Sequence, residues 1–104
     1  MQLEIAAILA QVHLVAGRVA EALALTESAM RWLEATGSAG HAEALLRLLH
    51  AQALARSSHS EEAGRRMRVA RSRLIFRADR ITDPALRKSF LERVPENAAT
   101  LADT

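Results

Sequence analysis

The chain has 104 residues, a length that fits one domain and leaves no room for a separate catalytic module. Half of the residues are hydrophobic, yet Trp32, Phe76 and Phe90 are the only aromatics, and the absence of cysteine excludes disulfides, thiolate metal sites and a cysteine nucleophile. The formal net charge of +2 is small but unevenly distributed. Ala, Leu, Arg and Glu are strong helix formers, and the β-branched residues are few and scattered, which predicts an all-α fold.

From Leu3 to Ala16 a first helix places Ile5, Ile8, Leu9, Val12 and Ala16 on one face, taken as its core face. Gly17 can end that helix in the left-handed conformation, and Val19 restarts the apolar pattern at once, so the connection folds back as an antiparallel hairpin. The second helix runs to about Thr36, with Val19, Leu23, Met30 and Leu33 on one face beside Ala22 and Ala29, and with Leu25 and Trp32 on another side. Gly37-Ser38-Ala39-Gly40 reads as a flexible turn.

The third helix, about His41 to Arg56, gathers Leu45, Leu46, Leu49 and Ala53 on its main face and Leu48, Ala51 and Ala55 toward another. The polar cluster Ser57-Ser58-His59-Ser60 stops it, and Ser58 with Glu61 forms a candidate capping box for the next helix. A fourth helix from about Ser60 to Arg80 aligns Ala63, Met67, Ala70, Leu74 and Ile81 toward the core. Asp83-Pro84 is a start signal for a fifth helix to about Arg93, with Ala85, Leu86, Phe90 and Val94 as its apolar face. Pro95-Glu96 can open a last short helix through Leu101, before a frayed tail at Asp103 and Thr104.

Ala10, Ala22 and Ala29 recur as Ala51, Ala63 and Ala70, an offset of 41 residues. The domain therefore divides into repeat-like hairpins over 3–36 and 41–80 and closing helices over 83–102. Leu9, Ala10, Gly17, Ala22 and Ala29 in the first copy, with Ala51, Ala63 and Ala70 in the second, resemble the small-residue pattern of tetratricopeptide repeats across 3–36 and 44–77. The usual first-helix Trp is missing from both copies, Ser58 replaces the turn glycine of the second, and the offset exceeds the roughly 34 residues of a standard repeat. The segment from Ile81 to Asn97 resembles the terminal helices of repeat arrays in large bacterial regulators of the multidomain ATPase, kinase or nucleotide cyclase type. That resemblance implies a noncatalytic interaction or scaffolding module, closing a short solenoid as a fragment of a longer signalling protein.

Two repeats fall below the three or more usually needed for stability. The second apolar edge of the first helix, Leu3, Ala7, Ala10 and Leu14, is therefore expected to receive either preceding repeats or a second copy of the chain. No enzyme motif is evident: His13, His41, His50 and His59 lack metal-site spacing, no phosphate-binding loop is present, and the serines around His59 are better explained by capping. No cofactor is expected.

The sharpest charge feature lies on the fourth helix, which carries Arg65, Arg66, Arg68, Arg71, Arg73, Arg77 and Arg80. Arg66, Arg73, Arg77 and Arg80, with Val69 and Phe76 as apolar anchors, are the candidate contacts for a protein partner, an acidic one fitting the arginines best. The alternative is a basic helical module that binds nucleic acid or another polyanion, although aromatics interleaved for base stacking are lacking. With no early basic residue before the first apolar stretch and no uncharged run of about 20 residues, a cytoplasmic protein without a membrane span is expected.

Overall fold

A computed structural model describes residues 2–37 and 40–102, and the side chain of His41 lies outside that description. The predicted turn residues Ser38 and Ala39 and the tail residues Asp103 and Thr104 also lie outside the described residues. Among the described residues there are six α-helices, with no strand: α1 (Leu3–Val15), α2 (Val19–Thr36), α3 (Glu43–Arg56), α4 (Ser60–Asp79), α5 (Pro84–Arg93) and α6 (Pro95–Ala102). A 3-10 turn, Gly40–Ala42, leads into α3. None of these helices is long and apolar enough to cross a membrane.

The sequence repeat reappears in the backbone of the two hairpin turns. Gly17 has φ of 81° and Ser58 has φ of 68°, both left-handed, at positions 41 residues apart. In each turn the following amide closes the end of the helix: Arg18 N donates to His13 O at 2.8 Å, and His59 N donates to Leu54 O at 2.9 Å. Ser58 is thus the turn residue itself and not a helix cap. The N-cap position of α4 is His59, without a side-chain bond, so the predicted capping box with Glu61 does not form.

Helix α3 is the centre of the molecule, packing against α1, α2, α4, α6 and the 3-10 turn. Leu46, Leu48, Leu49, Ala51, Ala53 and Leu54 are all buried, so it has hardly any solvent face. Ala7, Ala10, Leu14 and Ala22 meet Leu49 and Ala53 in one cluster, and Leu3, Ala6, Ala29, Met30 and Leu33 meet Ala42 and Leu46 in another. Leu48, Ala51, Met67 and Ala70 join α3 to α4. Ala10, Ala22, Ala29 and Ala53 have no exposed surface, the condition for helix backbones to approach closely.

Two sequence expectations reverse here. Leu3, Ala7, Ala10 and Leu14, expected to form a free edge for another repeat or a second copy, are buried inside this chain against α2 and α3. Ile5, Ile8, Leu9 and Val12, expected to face the core, are exposed instead, as is Ala16. Both faces of α1 are apolar, so periodicity alone gives no preference. The alanine-rich face goes inward because it permits the closer approach to two neighbouring helices.

The closing segment also differs from expectation. Asp83 caps α5 as predicted, its Oδ1 accepting from Ala85 N at 2.8 Å and Leu86 N at 3.1 Å. Yet α5 buries none of its residues, and Leu86 is exposed. It is α6 that packs on α3 and α4, with Asn97 and Thr100 buried. Helix α5 is instead held by polar contacts: Arg87 donates twice to Ile81 O, at 3.0 and 2.8 Å, and Asn97 Nδ2 donates to Phe90 O at 2.9 Å.

A non-glycine residue in the left-handed region costs roughly 1 kcal/mol relative to glycine. Ser58→Gly is therefore expected to raise stability by about 0.5–1 kcal/mol in urea unfolding, while Gly17→Ser lowers it by a similar amount.

Candidate functional site

The candidate contact residues lie on the flank of α4, where Val69, Arg73, Phe76 and Arg80 follow one another at helical spacing. Val69 and Phe76 are exposed and are not covered by α5. Arg73 places its guanidinium carbon 5.5 Å from the centre of the Phe76 ring, and Arg80 lies 5.7 Å from the same ring. The aromatic ring is thus gripped by two cations while part of it remains open to solvent. Arg77 takes a different partner, with its guanidinium carbon 5.5 Å from the centre of Phe90 on α5.

Other arginines of the helix are partly neutralised from within the fold. Arg66 donates to Glu62 at 3.1 Å and lies 3.6 Å from Glu34 on α2. Arg65 pairs with the same Glu62, and hydrogen bonds from the two arginines hold the Glu62 carboxyl below its ordinary range. Arg73, besides touching Phe76, donates to Glu43 on α3 at 2.9 Å through Nε and at 3.4 Å through Nη2. The six predicted contact residues therefore do not act alike: Val69, Phe76 and Arg80 form an exposed patch with Arg73 behind it, Arg77 is turned to α5, and Arg66 is turned to α2.

Glu43, which the sequence reading did not single out, is only 2% exposed. Burial pushes its carboxyl pKa up, but hydrogen bonds from Arg73 and from Arg47, the latter at 3.1 Å, outweigh that and hold it below the ordinary value. The spacing of Glu43 and Arg47, four residues apart on one helix, was a legible signal. The bridge to Arg73 spans 30 residues and left none. This clamp fixes the rotation of α4 against α3 and thereby the direction in which Phe76 points.

His50 is the second residue that pattern reading undervalued. It is 3% exposed at the floor of a cleft of about 260 Å³ between α2, α3 and α4, and neither ring nitrogen has a hydrogen-bond partner. Leu23, Met30 and Leu54 line the cleft with it, and Glu27, Arg31, Glu34, Glu62 and Arg66 surround it. Burial lowers the imidazole pKa and the charge of Arg66 lowers it further, against an opposing pull from Glu27, Glu62 and Glu34. Two other histidines serve the turns: His13 Nδ1 accepts from Arg18 Nε at 2.9 Å, and His59 Nδ1 lies 3.0 Å from the Ser57 hydroxyl, which itself donates to Ala53 O.

With this geometry established, comparison with protein-family models, curated proteins and solved structures yields no match of any of the three kinds.

Removing the Glu43 carboxylate strands two arginines, but Arg73 is partly exposed and can turn to water. Glu43→Gln is therefore expected to cost about 2 kcal/mol, below the roughly 3–5 kcal/mol of breaking a fully buried pair, and Arg73→Ala about half as much because Arg47 still serves Glu43. Chemical unfolding of the two variants at neutral pH checks the order.

The His50 shift has a defined sign. The unfolded imidazole titrates near 6.5 and the folded one lower, so below pH 6.5 the unfolded chain takes up a proton that the folded chain refuses, and stability falls as pH falls. Thermal unfolding at pH 7.5 and 5.5 should show a midpoint drop of a few degrees in the wild type and a smaller one in His50→Leu, which fills the site without a titrating group.

Proposed function

We propose that the chain is a noncatalytic, tetratricopeptide-like interaction module of the bacterial-regulator type, working in the cytoplasm, which binds an acidic protein segment on the α4 flank. The observation that carries this reading is Phe76, a large aromatic side chain left exposed between the guanidinium groups of Arg73 and Arg80, with Val69 two turns away. An apolar anchor inside a cationic rim is the arrangement in which protein interfaces concentrate binding energy, with aromatic and Arg residues at the centre. A segment carrying an aliphatic or aromatic residue beside Asp or Glu would cover Phe76 and meet both arginines.

The repeated hairpins supply the rigidity such a surface requires. Because α4 is locked to α3 by Glu43 and by the cluster of Leu48, Ala51, Met67 and Ala70, the backbone beneath the patch needs no reordering on binding. The nucleic-acid alternative rests on the seven arginines of the helix, and three of these, Arg65, Arg66 and Arg73, already share carboxylates of the same chain. That internal pairing weakens a purely electrostatic contact and leaves the exposed Phe76 as the anchor, which a protein segment would cover and a polyphosphate would not.

Selection of a displayed random peptide library on the folded chain should enrich sequences with Asp or Glu flanking an apolar residue. Phe76→Ser should weaken the selected peptides at least tenfold, and Leu86→Ser, at an exposed position of α5, should leave them unchanged. Tight, salt-dependent binding of DNA or RNA, lost in Arg77→Ala and Arg80→Ala, would instead establish the polyanion reading.

A further inference from the structure

Helix α5 buries none of its 10 residues. Its cap from Asp83 and the bonds from Arg87 to Ile81 O lie within residues 81–87, so they hold the shape of the segment and not its position. Among the described residues, the hydrogen bond and the ring contact that reach across to other helices both end on half-buried Phe90. Its carbonyl accepts from Asn97 Nδ2 of α6 at 2.9 Å, and its ring centre lies 5.5 Å from the guanidinium carbon of Arg77 on α4.

The chain breaks on both sides of this helix. Asp83 and Val94 are extended, with ψ of 119° and 117°, and each precedes a proline that has no amide hydrogen to carry a helix across the joint. Helix α6 is anchored separately, packing on α3 and α4 with Asn97 and Thr100 buried, so α5 can leave while its two ends stay in place. Release strands Asn97 Nδ2 in a residue whose Oδ1 already lacks a partner, and that cost keeps the closed state the major one.

We propose that α5 is a self-docked segment, latched at Phe90, which withholds Arg77 from the α4 binding surface until it is displaced. The inhibitory part of this inference rests on the reading of the α4 flank as a docking surface; the latch does not. Arg73, Phe76, Arg77 and Arg80 stand at i, i+3, i+4 and i+7, so they belong to one face of α4. In the closed chain three of them form the Phe76 patch, and the fourth is taken by α5. The chemistry of α5 also matches that of the expected ligand. Phe90-Leu91-Glu92 is an apolar pair followed by a carboxylate, and Phe90 meets an arginine of α4 as Phe76 meets Arg73 and Arg80.

A partner that takes all four residues competes with α5, and its apparent affinity is reduced by the fraction of chains in which α5 is open. Native-state hydrogen exchange on the whole chain reads the latch without any partner. A helix of 10 residues is not stable alone in water, so release of α5 registers as loss of its amide protection. The expected result is exchange of α5 amides at least about a hundredfold faster than those of α3, with α6 slower than α5. Phe90→Ala should speed α5 exchange by a further factor of about ten and Arg77→Gln, which leaves α5 intact, by about three, with α3 unchanged in both. Protection of α5 equal to that of α3, or α5 exchange indifferent to both substitutions, overturns the latch.

Binding is read separately, by selecting the displayed peptide library in parallel on the wild type and on Phe90→Ala. The selected peptides should bind Phe90→Ala at least about fivefold more tightly than the wild type, because a larger fraction of the variant is open. Equal or weaker binding to Phe90→Ala overturns the inhibitory role of α5, whatever exchange shows of its opening. A library that yields no peptide on either chain overturns the docking reading of α4 and the inhibitory role with it, and exchange alone then decides the latch.

Discussion

Close approach of helix backbones around α3 is the constraint on which the rest of the structure depends. Ala10, Ala22, Ala29 and Ala53 lose all contact with solvent where α1 and α2 meet α3, and Ala51 and Ala70 let α4 approach from the other side. A helix surrounded in this way has almost no position for a polar side chain. The two that it does bury, Glu43 and His50, mark places where packing left a polar group to be satisfied by other means.

Those two residues are handled differently. Glu43 is supplied with two arginines and becomes a bridge between α3 and α4, directing one face of α4. His50 receives no partner and is held toward its neutral form by burial. A carboxylate cannot shed its charge cheaply near neutral pH, whereas an imidazole can, and the fold uses each accordingly. The same clamp that stabilises the fold also sets Arg73 against Phe76, so the exposed aromatic patch and the buried ion pair share a residue.

Much of the fold was legible in the sequence. The all-α class follows from composition, the starts of α2 and α5 follow from Gly17 and Asp83-Pro84, and the inward residues Ala63, Met67, Ala70 and Leu74 of α4 follow from its period. Ser58 was recognisable as the counterpart of Gly17, and the left-handed φ of both residues reflects that equivalence. The candidate patch on α4 was legible as a set of residues but not as an arrangement. Spacing along a helix can say that Arg73, Phe76 and Arg80 share a side, but not that Arg66 turns to Glu34 or that Arg77 turns to Phe90.

What the sequence by itself determined is therefore local: where helices begin and end, which residues share a face, and that Ser58 stands where Gly17 does. Those properties depend on groups within a few turns of one another, and they are written in capping residues and periodicity. Only the tertiary structure decided which apolar face of α1 goes inward, that α6 and not α5 closes the core, and that Glu43 reaches 30 residues along the chain to Arg73. These are choices between faces that are equally apolar, or between partners that are equally charged. They are settled by how closely particular backbones can approach, a property of pairs of helices that no single helix contains.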